Sequence, residues 1–415
     1  MASRPGLRWE DGLFEAVPRW IHAPDIGVIE HIVSKTLAQT CRVSFFCQGA
    51  FNKLYNVQCE SSYYLMRVSL PVDPKFKTLS EVATLSWIQQ HTSIPVPRVV
   101  AYNCSHENEL GFEWILMEKI AGRPLEDVWR SMTWEQKKRL SAKVAYYSAE
   151  LFSKKHAGIG NLFFSNRDGD CTESVLGRIV SMPFFWDNHF LYKVHRGPFN
   201  SSSEWLQARL QFNQLDCEKT IRESSDEDDI EEAEKTSPVV SRLFKAIGLI
   251  FADDKPQMQQ KRMDSQIPTV LLHDDLSWHN ILVDDDGELQ GIIDWECTSA
   301  MPLWKAAQIP QFLQGSQRME KPKRELYSAN EGGGNLFHIH LFEYEQTQLR
   351  DIFMSTMKQA SPDWAYIFES SRKQADLDIA IQSCDLHNLA RKSINEWLDE
   401  LEKGEEPTSL VKFLQ

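Results

Sequence analysis

The chain has 415 residues, of which 42% are hydrophobic and 25% charged, and its formal net charge is −14. This is the composition of an ordinary globular protein with enough length for two or three cores. The acidic balance argues against extended contact with nucleic acid or with an anionic membrane surface. No stretch approaches the ~20 consecutive apolar residues that a membrane span needs.

The cysteines and the N-terminal residues both indicate in which cellular compartment the protein is expected. Eight cysteines are scattered without a C-x-x-C pair, and no His cluster has zinc-ligand spacing, so we expect reduced thiols in an intracellular protein. Arg4 and Arg8 are soon followed by Glu10 and Asp11 with no apolar run between them, which argues against a secretory signal. The same acids weigh less strongly against a mitochondrial transit peptide. We predict a cytoplasmic location, with a mitochondrial one as the alternative.

The first elements predicted are a helix and three strands. Asp25 is placed to cap a helix whose apolar residues share one face: Ile26, Ile29, Val33 and Leu37. Strand-like runs follow at 43–47, 54–59 and 63–68, with a short turn at 48–53 between the first two.

A second helix and two further strands follow. Thr78 and Glu81 have the spacing of a capping box and predict a helix that starts there. Pro95 and Pro97 end this helix before a strand at 98–102. Another strand is predicted at 114–117, which completes the order helix, three strands, helix, two strands.

The second half of the chain is predicted to be mostly helical. Thr133 and Gln136 form a capping box at the start of a long amphipathic helix. The region 165–266 has a weaker pattern and contains an acidic run at 224–234, expected to be a solvated helix face or a mobile loop. From about residue 336 onward the pattern is helical again. His338 and His340 are predicted on a strand-like face without a third metal ligand.

The most informative segment runs from residue 270 to 295. An apolar strand ends at His273, and Asp275 and Asn280 lie on the loop that follows. A hairpin is predicted next, with strands at 281–283 and 289–293 joined by an Asp-Gly turn. Asp294 comes where the second strand ends. The pattern therefore predicts that these four polar residues gather at one end of the hairpin.

Phosphoryl transfer calls for this set of side chains. Its loose transition state leaves little covalent work for the protein, so the rate depends on positioning and on neutralising phosphoryl charge. Oxygen ligands from Asn280 and Asp294 suit Mg²⁺, and Asp275 can accept a hydrogen bond from an acceptor hydroxyl. A hairpin with polar turns is also common in any globular protein. With each residue type near ~5% of usage, however, four fixed positions match by chance about once in 10⁵.

The pattern H-x-D-L-x-x-x-N followed by D-W resembles the catalytic and metal motifs of the kinase-like superfamily. Its details resemble the aminoglycoside phosphotransferase family, also called the phosphotransferase enzyme family, over most of residues 40–310. Asp275 precedes Asn280 by five positions, and Asn280 precedes Asp294 by fourteen, as in that family. By this resemblance Asp275 is the catalytic aspartate, and Asn280 and Asp294 are the magnesium ligands. His273 is expected to brace the loop.

The resemblance implies an α+β fold of the two-lobed protein-kinase type. The small N-terminal lobe, residues 1–120, would hold an antiparallel sheet and a helix that cover the nucleotide. The larger, mostly helical C-terminal lobe, residues 121–415, would hold the catalytic hairpin at 270–295. It would also hold a helical insertion at about 165–266 and the C-terminal helices.

The resemblance also assigns nucleotide-binding residues in the N-terminal half. The loop from Gly49 to Asn52 takes the place of the phosphate-covering loop, although it is not G-x-G-x-x-G. Arg67 stands where protein kinases place a lysine, and a planar guanidinium can still bridge a phosphate and a carboxylate.

The partner of that arginine and the adenine contacts complete the nucleotide site. Glu81 would be the ion-pair partner of Arg67, a role that competes with the capping box. The backbone carbonyl of Glu118 and the amide of Ile120 would pair with adenine at the hinge.

The function implied is an ATP- and Mg²⁺-dependent phosphotransferase acting on a hydroxyl of a small molecule. A protein kinase is a second hypothesis, but no Ala-Pro-Glu signature follows Asp294. A third is a non-catalytic nucleotide-binding protein (a pseudokinase) or mitochondrial maintenance protein on the same fold. Aminoglycosides are not predicted as acceptors. Acceptor contacts are expected near Trp186, Arg196 and Trp205 and from the C-terminal helices, and the acceptor stays unidentified.

Overall fold

The structure is a computed structural model that describes residues 4–12, 16–165, 173–252, 266–328 and 331–410. Its α-helices are α1 (Ile26–Leu37), α2 (Phe76–His91), α3 (Leu125–Val128), α4 (Trp134–Ser153), α5 (Met182–Phe185), α6 (Ser202–Glu223), α7 (Glu227–Ile250), α8 (Leu303–Ala306), α9 (Glu331–Ala360), α10 (Pro362–Ser370), α11 (Arg372–Ser383) and α12 (Asn388–Glu402). Short 3₁₀ turns occupy Asp187–Leu191, Gln311–Leu313 and Arg324–Leu326.

The strands are β1 (Leu7–Asp11), β2 (Ala16–Trp20), β3 (Arg42–Gln48), β4 (Asn52–Gln58), β5 (Tyr63–Ser69), β6 (Val99–Asn103), β7 (Glu113–Glu118), β8 (Arg123–Pro124), β9 (His156–Ala157), β10 (Leu162–Phe164), β11 (Ser174–Leu176), β12 (Pro268–Leu272), β13 (Ile281–Val283), β14 (Leu289–Ile292) and β15 (Ser299–Pro302). The chain has an α+β fold, as predicted.

The described residues divide into two compact units. Unit 1 comprises Met1–Ile120, His156–Thr269 and Trp295–Met301, and unit 2 comprises Ala121–Lys155, Val270–Asp294 and Pro302–Gln415. The predicted division into lobes at 1–120 and 121–415 stays a prediction. One segment of unit 1 does end at Ile120, but the unit also takes up the helical insertion.

Unit 1 contains a five-stranded antiparallel sheet in the order β3-β4-β5-β7-β6. The predicted strands are confirmed within two residues. One face of the sheet packs on α1, whose Ile29 and Val33 are fully buried beside Val57, Met66 and Leu116. Burial of this apolar face, at roughly 25 cal/mol per Å², is what holds sheet and helix together.

Helix α1 begins and ends as its sequence indicates. The Asp25 side chain accepts a hydrogen bond from the amide of Val28 at 3.1 Å, which satisfies one of the free amides of the first turn. Ala38 adopts a left-handed conformation with φ of 53°, and its amide bonds to the carbonyl of Ser34. The predicted cap is confirmed.

Helix α2 departs from the predicted start. It begins at Phe76 rather than after Thr78, and Lys75 at its N-cap makes no side-chain cap bond. The Thr78 hydroxyl donates instead to Glu113 of β7 at 2.5 Å. The predicted capping box is therefore wrong, because both of its side chains are used in tertiary contacts.

The helical insertion of unit 1 consists mainly of α6 and α7, which pack against each other. Asp226 caps α7 by accepting from the amide of Asp228 at 2.9 Å. The acids of the first turn are exposed and lie where the positive end of the helix dipole favours them. The acidic run is thus a solvated helix start, one of the two predicted forms.

Unit 2 is built on α4 and α9, which pack along each other. Thr133 and Gln136 form the predicted capping box at the start of α4. Leu140 and Val144 of α4 and Leu349 and Phe353 of α9 are buried, with 2% exposure or less. Beside this pair lies the β13–β14 hairpin, which β8 extends by one short strand. None of the helices that the structure describes is long and apolar enough to cross a membrane.

Candidate functional site

A cluster of buried charges lies inside unit 1. Arg67 on β5 and Lys77 on α2 supply two cations, and both side chains are 6% exposed or less. Arg67 donates from Nη1 to Glu81 at 2.5 Å and from Nη2 to Glu296. Lys77 contacts Glu296 and donates to the amide oxygen of Asn52 at 3.1 Å. Two cations and two carboxylates therefore meet in one desolvated cluster.

The pKa values of the two carboxylates in this cluster are shifted in opposite directions. Burial alone raises the pKa of Glu296, but the adjacent Arg67 and Lys77 outweigh burial and lower that pKa to about 2. Asn52 adds a hydrogen bond from its Nδ2 to Glu296 at 2.9 Å, which also favours the charged form. Burial raises the pKa of Glu81, and the same two cations oppose that rise. Glu296 is thus the anion that these cations hold most firmly.

The expected partnership of Arg67 with Glu81 is present, whereas Lys77 and Glu296 were not selected from the sequence. Lys77 lies in the first turn of α2, a position usually read as exposed. Glu296 follows Asp294-Trp295 directly. Its acidic side chain beside a metal motif is the one signal that could have drawn attention to it.

The other predicted nucleotide contacts lie elsewhere in unit 1. Gly49 is exposed in the β3–β4 turn, and a Cβ atom added to it would meet nothing within 4 Å. Its amide bonds to the carbonyl of Asn52 at 2.9 Å, which closes the turn. Glu118 ends β7 and forms an exposed ion pair with Arg98. Ile120 follows two residues later, at the end of its segment of unit 1.

The loop that carries Asp275 and Asn280 lies in unit 2. Asn280 is buried, and its Nδ2 donates to both the carbonyl and the Oδ2 of Asp275, each at 2.8 Å. Asp275 itself is exposed to solvent. The loop therefore presents an accessible carboxylate whose orientation is fixed by a buried amide. The structure brings these two predicted residues together.

His273 and the hairpin fix the neighbouring backbone. The His273 Nε2 donates to the carbonyl of Ile293 at 2.9 Å, and the amide of Ile293 donates to the carbonyl of Asn280 at 2.9 Å. Burial lowers the pKa of His273, so the ring is neutral and braces the strand that leads into Asp294. Asp294 adopts a left-handed backbone conformation with φ of 64°, uncommon for a residue with a side chain.

Asn280 of this loop and Asp294 after the hairpin carry oxygen donors of the type that Mg²⁺ prefers. The amide nitrogen of Asn280 is engaged by Asp275, which leaves its amide oxygen as the atom able to ligate a metal. Together with the carboxylate of Asp294 this gives two hard oxygen ligands, the number that Mg²⁺ commonly takes from protein when nucleotide phosphates and waters supply the rest. In the described part of the chain, no group of three or more His, Cys, Asp or Glu residues could hold a metal.

Two of the residues expected near an acceptor, Arg196 and Trp205, serve the packing of the insertion, and the third, Trp186, packs against Trp9 and Phe51. Arg196 donates to the backbone carbonyls of Phe184, His189 and Phe190. Trp205 is 3% exposed. The guanidinium group and the indole ring are therefore committed to the interior of unit 1. His338 and His340 lie on helix α9 rather than on a strand, which corrects that expectation.

Comparison with known families agrees with the resemblance that the motif shows. The model of the phosphotransferase enzyme family matches residues 44–305. The chain belongs to this family.

Two groups of curated fungal proteins are similar to this chain. A subtelomeric hrmA-associated cluster protein of Aspergillus fumigatus is 24% identical over 307 residues, which cover 65% of this chain and 60% of that protein. Altered inheritance of mitochondria protein 9, mitochondrial, of Meyerozyma guilliermondii is 26% identical over 225 residues, 46% of this chain and 37% of that protein. The chain thus spans about 60% or less of the length of these relatives.

Solved structures of aminoglycoside phosphotransferases are also similar. An apo thermostable mutant of APH(4)-Ia has a TM-score of 0.44 at 13% identity, covering 90% of this chain and 92% of that one. APH(2″)-IIa in a ternary complex with streptomycin and ATP has a TM-score of 0.43 at 13% identity, covering 92% and 97%.

Proposed function

We propose that this chain is an ATP- and Mg²⁺-dependent phosphotransferase that moves the γ-phosphate to a hydroxyl of a small molecule. The observation that carries the proposal is the pair formed by Asp275 and Asn280. A buried amide holds an exposed carboxylate on the motif of a phosphotransferase family. A packing role alone would not require the carboxylate to face solvent.

Asp275 would orient the acceptor. Its carboxylate accepts a hydrogen bond from the hydroxyl and later takes that proton before passing it to water. The hydroxyl oxygen bonds to the γ-phosphorus as the bond to the β–γ bridging oxygen breaks, and ADP leaves. Because the transition state is loose, aiming the hydroxyl in line matters more than early proton removal.

Asn280 and Asp294 would hold the magnesium ion. When bound, Mg²⁺ neutralises charge on the phosphate oxygens. The left-handed backbone at Asp294 sets the direction in which its carboxylate leaves the chain. The bond from His273 to Ile293 keeps that backbone in place.

Arg67 and Lys77 would contact the nucleotide phosphates from unit 1. Guanidinium and ammonium groups are the usual partners of phosphate oxygens. Glu81 holds Arg67 in position, as predicted for it. The turn at Gly49 to Asn52, the carbonyl of Glu118 and the amide of Ile120 would supply the remaining nucleotide contacts.

Matched aspartate variants of the purified protein test the proposal. With Mg-ATP and a panel of hydroxylated metabolites, release of ADP should depend on the acceptor. Asp275→Ala should lower the transfer rate by about 10²- to 10⁴-fold. Asp274→Ala is the control, since this neighbouring residue is exposed and pairs with Lys305 at 3.7 Å. Transfer by Asp275→Ala at the wild-type rate would refute the assignment.

Ligand binding tests the metal residues separately. Mg-ATP should raise the midpoint of thermal unfolding, because a ligand of the native state stabilises it by RT ln(1 + [L]/Kd). Asp294→Ala should lose most of this shift. Asp285→Ala, an exposed turn residue paired with Arg123, should keep it.

A second candidate is a non-catalytic nucleotide-binding protein. The specific observation in its favour is that Glu81 and Glu296 already neutralise Arg67 and Lys77. A thermal shift with ATP that never leads to ADP release would favour this candidate. A role in mitochondrial maintenance, after the similar mitochondrial inheritance proteins, falls under the same alternative.

The partner proposed is a small-molecule acceptor, without nucleic acid or membrane. The predicted location is cytoplasmic. Fractionation of cells expressing the tagged chain would decide between cytosol and mitochondria.

A further inference from the structure

Unit 2 contains a cavity that none of the proposed nucleotide or metal contacts uses. Its volume is about 520 Å³, within the range of small-molecule sites. Helix α3, the start of α4, the first turns of α9 and the loop of Asp275 bound it. Its apolar wall includes Trp129, Met132, Trp278, Ile339 and Phe342.

Three aromatic rings dominate this wall. Trp129 and Trp278 meet edge to face with ring centroids 4.5 Å apart. Phe342 lies 5.0 Å from Trp278 and 6.2 Å from Trp129. The cluster offers several faces and edges to a further ring, and aromatic pairs prefer such offset and edge-on arrangements.

The acidic residues of the cavity already have partners. Glu345 pairs with Lys137 at 2.7 Å, and Lys137 Nζ also lies 4.5 Å from the centroid of the Trp129 ring. Glu126 contacts His279 Nδ1 at 2.9 Å. An ammonium group on the ligand would therefore have to displace one of these partners. The cavity favours an uncharged ring over a polyamine.

Trp278, which lines the cavity, lies on the same loop as Asp275, the proposed catalytic residue. Trp278 lies three positions after Asp275 and two before Asn280. A molecule that packs on Trp278 therefore rests on the same short loop that carries the carboxylate proposed to orient an acceptor.

We infer that this cavity is the acceptor site and that it takes an aromatic alcohol or phenol. The ring packs on Trp278 and Phe342, and the hydroxyl is directed toward Asp275. The assignment of the ligand as acceptor rests on the proposed phosphotransferase function, whereas binding of the ring in the cavity does not.

Calorimetric titration of the full chain with 2-naphthol tests the inference. Decahydro-2-naphthol is the matched probe, because it keeps the fused rings and the hydroxyl but has no π face. 2-Naphthol should bind about 2- to 10-fold more tightly, the range expected for aromatic pairing. Kanamycin, a polyamine, should bind more weakly than 2-naphthol.

Variants locate the binding. Ile339→Trp places a larger side chain in the cavity, so it should weaken 2-naphthol binding at least about tenfold. The Ile339 side chain is 53% exposed, so the substitution should leave the core undisturbed. Leu336→Trp, nearby on the same helix but outside the cavity lining, is its control. Trp278→Leu should weaken binding similarly, whereas Trp134→Leu should not. Thermal unfolding of each variant checks that it is folded.

The outcomes separate the two proposals. Unaltered binding in Ile339→Trp, or no preference for 2-naphthol over its saturated analogue, overturns the inference. If the wild-type protein does not bind 2-naphthol but transfers phosphate from ATP to another acceptor, the cavity assignment is overturned and the proposed function is not. Binding of 2-naphthol that Ile339→Trp abolishes supports the cavity, and lack of transfer in that case counts against the proposed function.

Discussion

Arg67 and Glu81 form a buried ion pair that joins β5 to α2, with Nη1 and Oε1 2.5 Å apart and both side chains 6% exposed or less. Each partner offsets part of the cost of burying the other's charge. A buried pair of this kind adds little net stability over apolar residues, but losing one partner is expensive. The pair therefore fixes where α2 sits on the sheet and sets the direction in which the Arg67 guanidinium points.

Arg67→Gln should destabilise the protein by about 3–5 kcal/mol, because it leaves Glu81 buried without its main counter-ion. Arg67→Lys should lower the free energy of unfolding by less, because it keeps the positive charge. It should still destabilise the protein, because lysine lacks the planar fork that reaches both Glu81 and Glu296. Urea denaturation monitored by tryptophan fluorescence measures both. Arg98→Gln is the control, because it removes an exposed pair with Glu118 on the same sheet. Equal effects of Arg67→Gln and Arg98→Gln would contradict the prediction.

Glu296 should make the protein sensitive to acid. Its pKa is about 2 in the folded protein, against an ordinary value of 4.5. A lowered carboxyl pKa contributes stability that is present above about pH 4.5 and is lost as the pH falls toward 2. The difference in unfolding free energy between wild type and Glu296→Gln should therefore shrink as the pH is lowered from about 4.5 toward 2. Glu81, with its raised pKa, acts in the opposite direction, and Glu296→Gln also removes a charge that raises the pKa of Glu81. A difference independent of pH would refute the assignment.

The β13–β14 hairpin and the loop before it could be predicted because the residues that determine them are close together in the sequence. His273, Asp275, Asn280 and Asp294 lie within 22 positions, and a strand, a loop and an Asp-Gly turn suffice to bring their backbones together. The strands of the five-stranded sheet were predicted for the same reason. Alternation of apolar residues is a local signal that burial of one face then enforces.

The charge cluster could be predicted only in part, because its contacts are remote in sequence. Glu296 bonds to Asn52 across 244 positions and to Arg67 across 229. No local pattern identifies Lys77 as buried. The start of α2 was misplaced because Thr78 and Glu81 satisfy a local capping rule while their side chains bind remote partners. The aromatic cavity likewise combines three chain segments that only tertiary packing brings together.

Asp73 should make the protein less stable as the pH rises through about 6. Burial raises its pKa from 3.8 to about 6, although Arg178 opposes this from 2.6 Å. A raised carboxyl pKa means that the folded state binds the proton more tightly, so its contribution is full below about pH 3.8 and is lost by about pH 6. Two pKa units correspond to about 3 kcal/mol. Measured against Asp73→Asn, the wild type should lose stability over this interval, and a rise instead would disprove the pKa shift.

Asn161 should be one of the most sensitive residues of unit 1. It is fully buried, its Oδ1 accepts from the amide of Val180 at 2.7 Å and from Ser299 at 2.8 Å, and its Nδ2 donates to the carbonyl of Thr298 at 2.9 Å. Asn161→Ala leaves these groups buried without a partner, at about 1–3 kcal/mol for each. We expect a total loss of at least about 3 kcal/mol in urea denaturation.

Two further variants separate lost hydrogen bonds from lost volume at Asn161. Asn161→Asp keeps both acceptor bonds but cannot donate to Thr298, and it buries a charge, so it should also destabilise the protein. Asn103→Ala removes an amide that accepts one bond, from the amide of Ser105 at 3.0 Å, at the partly exposed end of β6. It should cost far less. Equal effects of Asn161→Ala and Asn103→Ala would contradict the prediction. They would mean that the hydrogen bonds of Asn161 to Val180, Thr298 and Ser299 contribute little to the stability of unit 1.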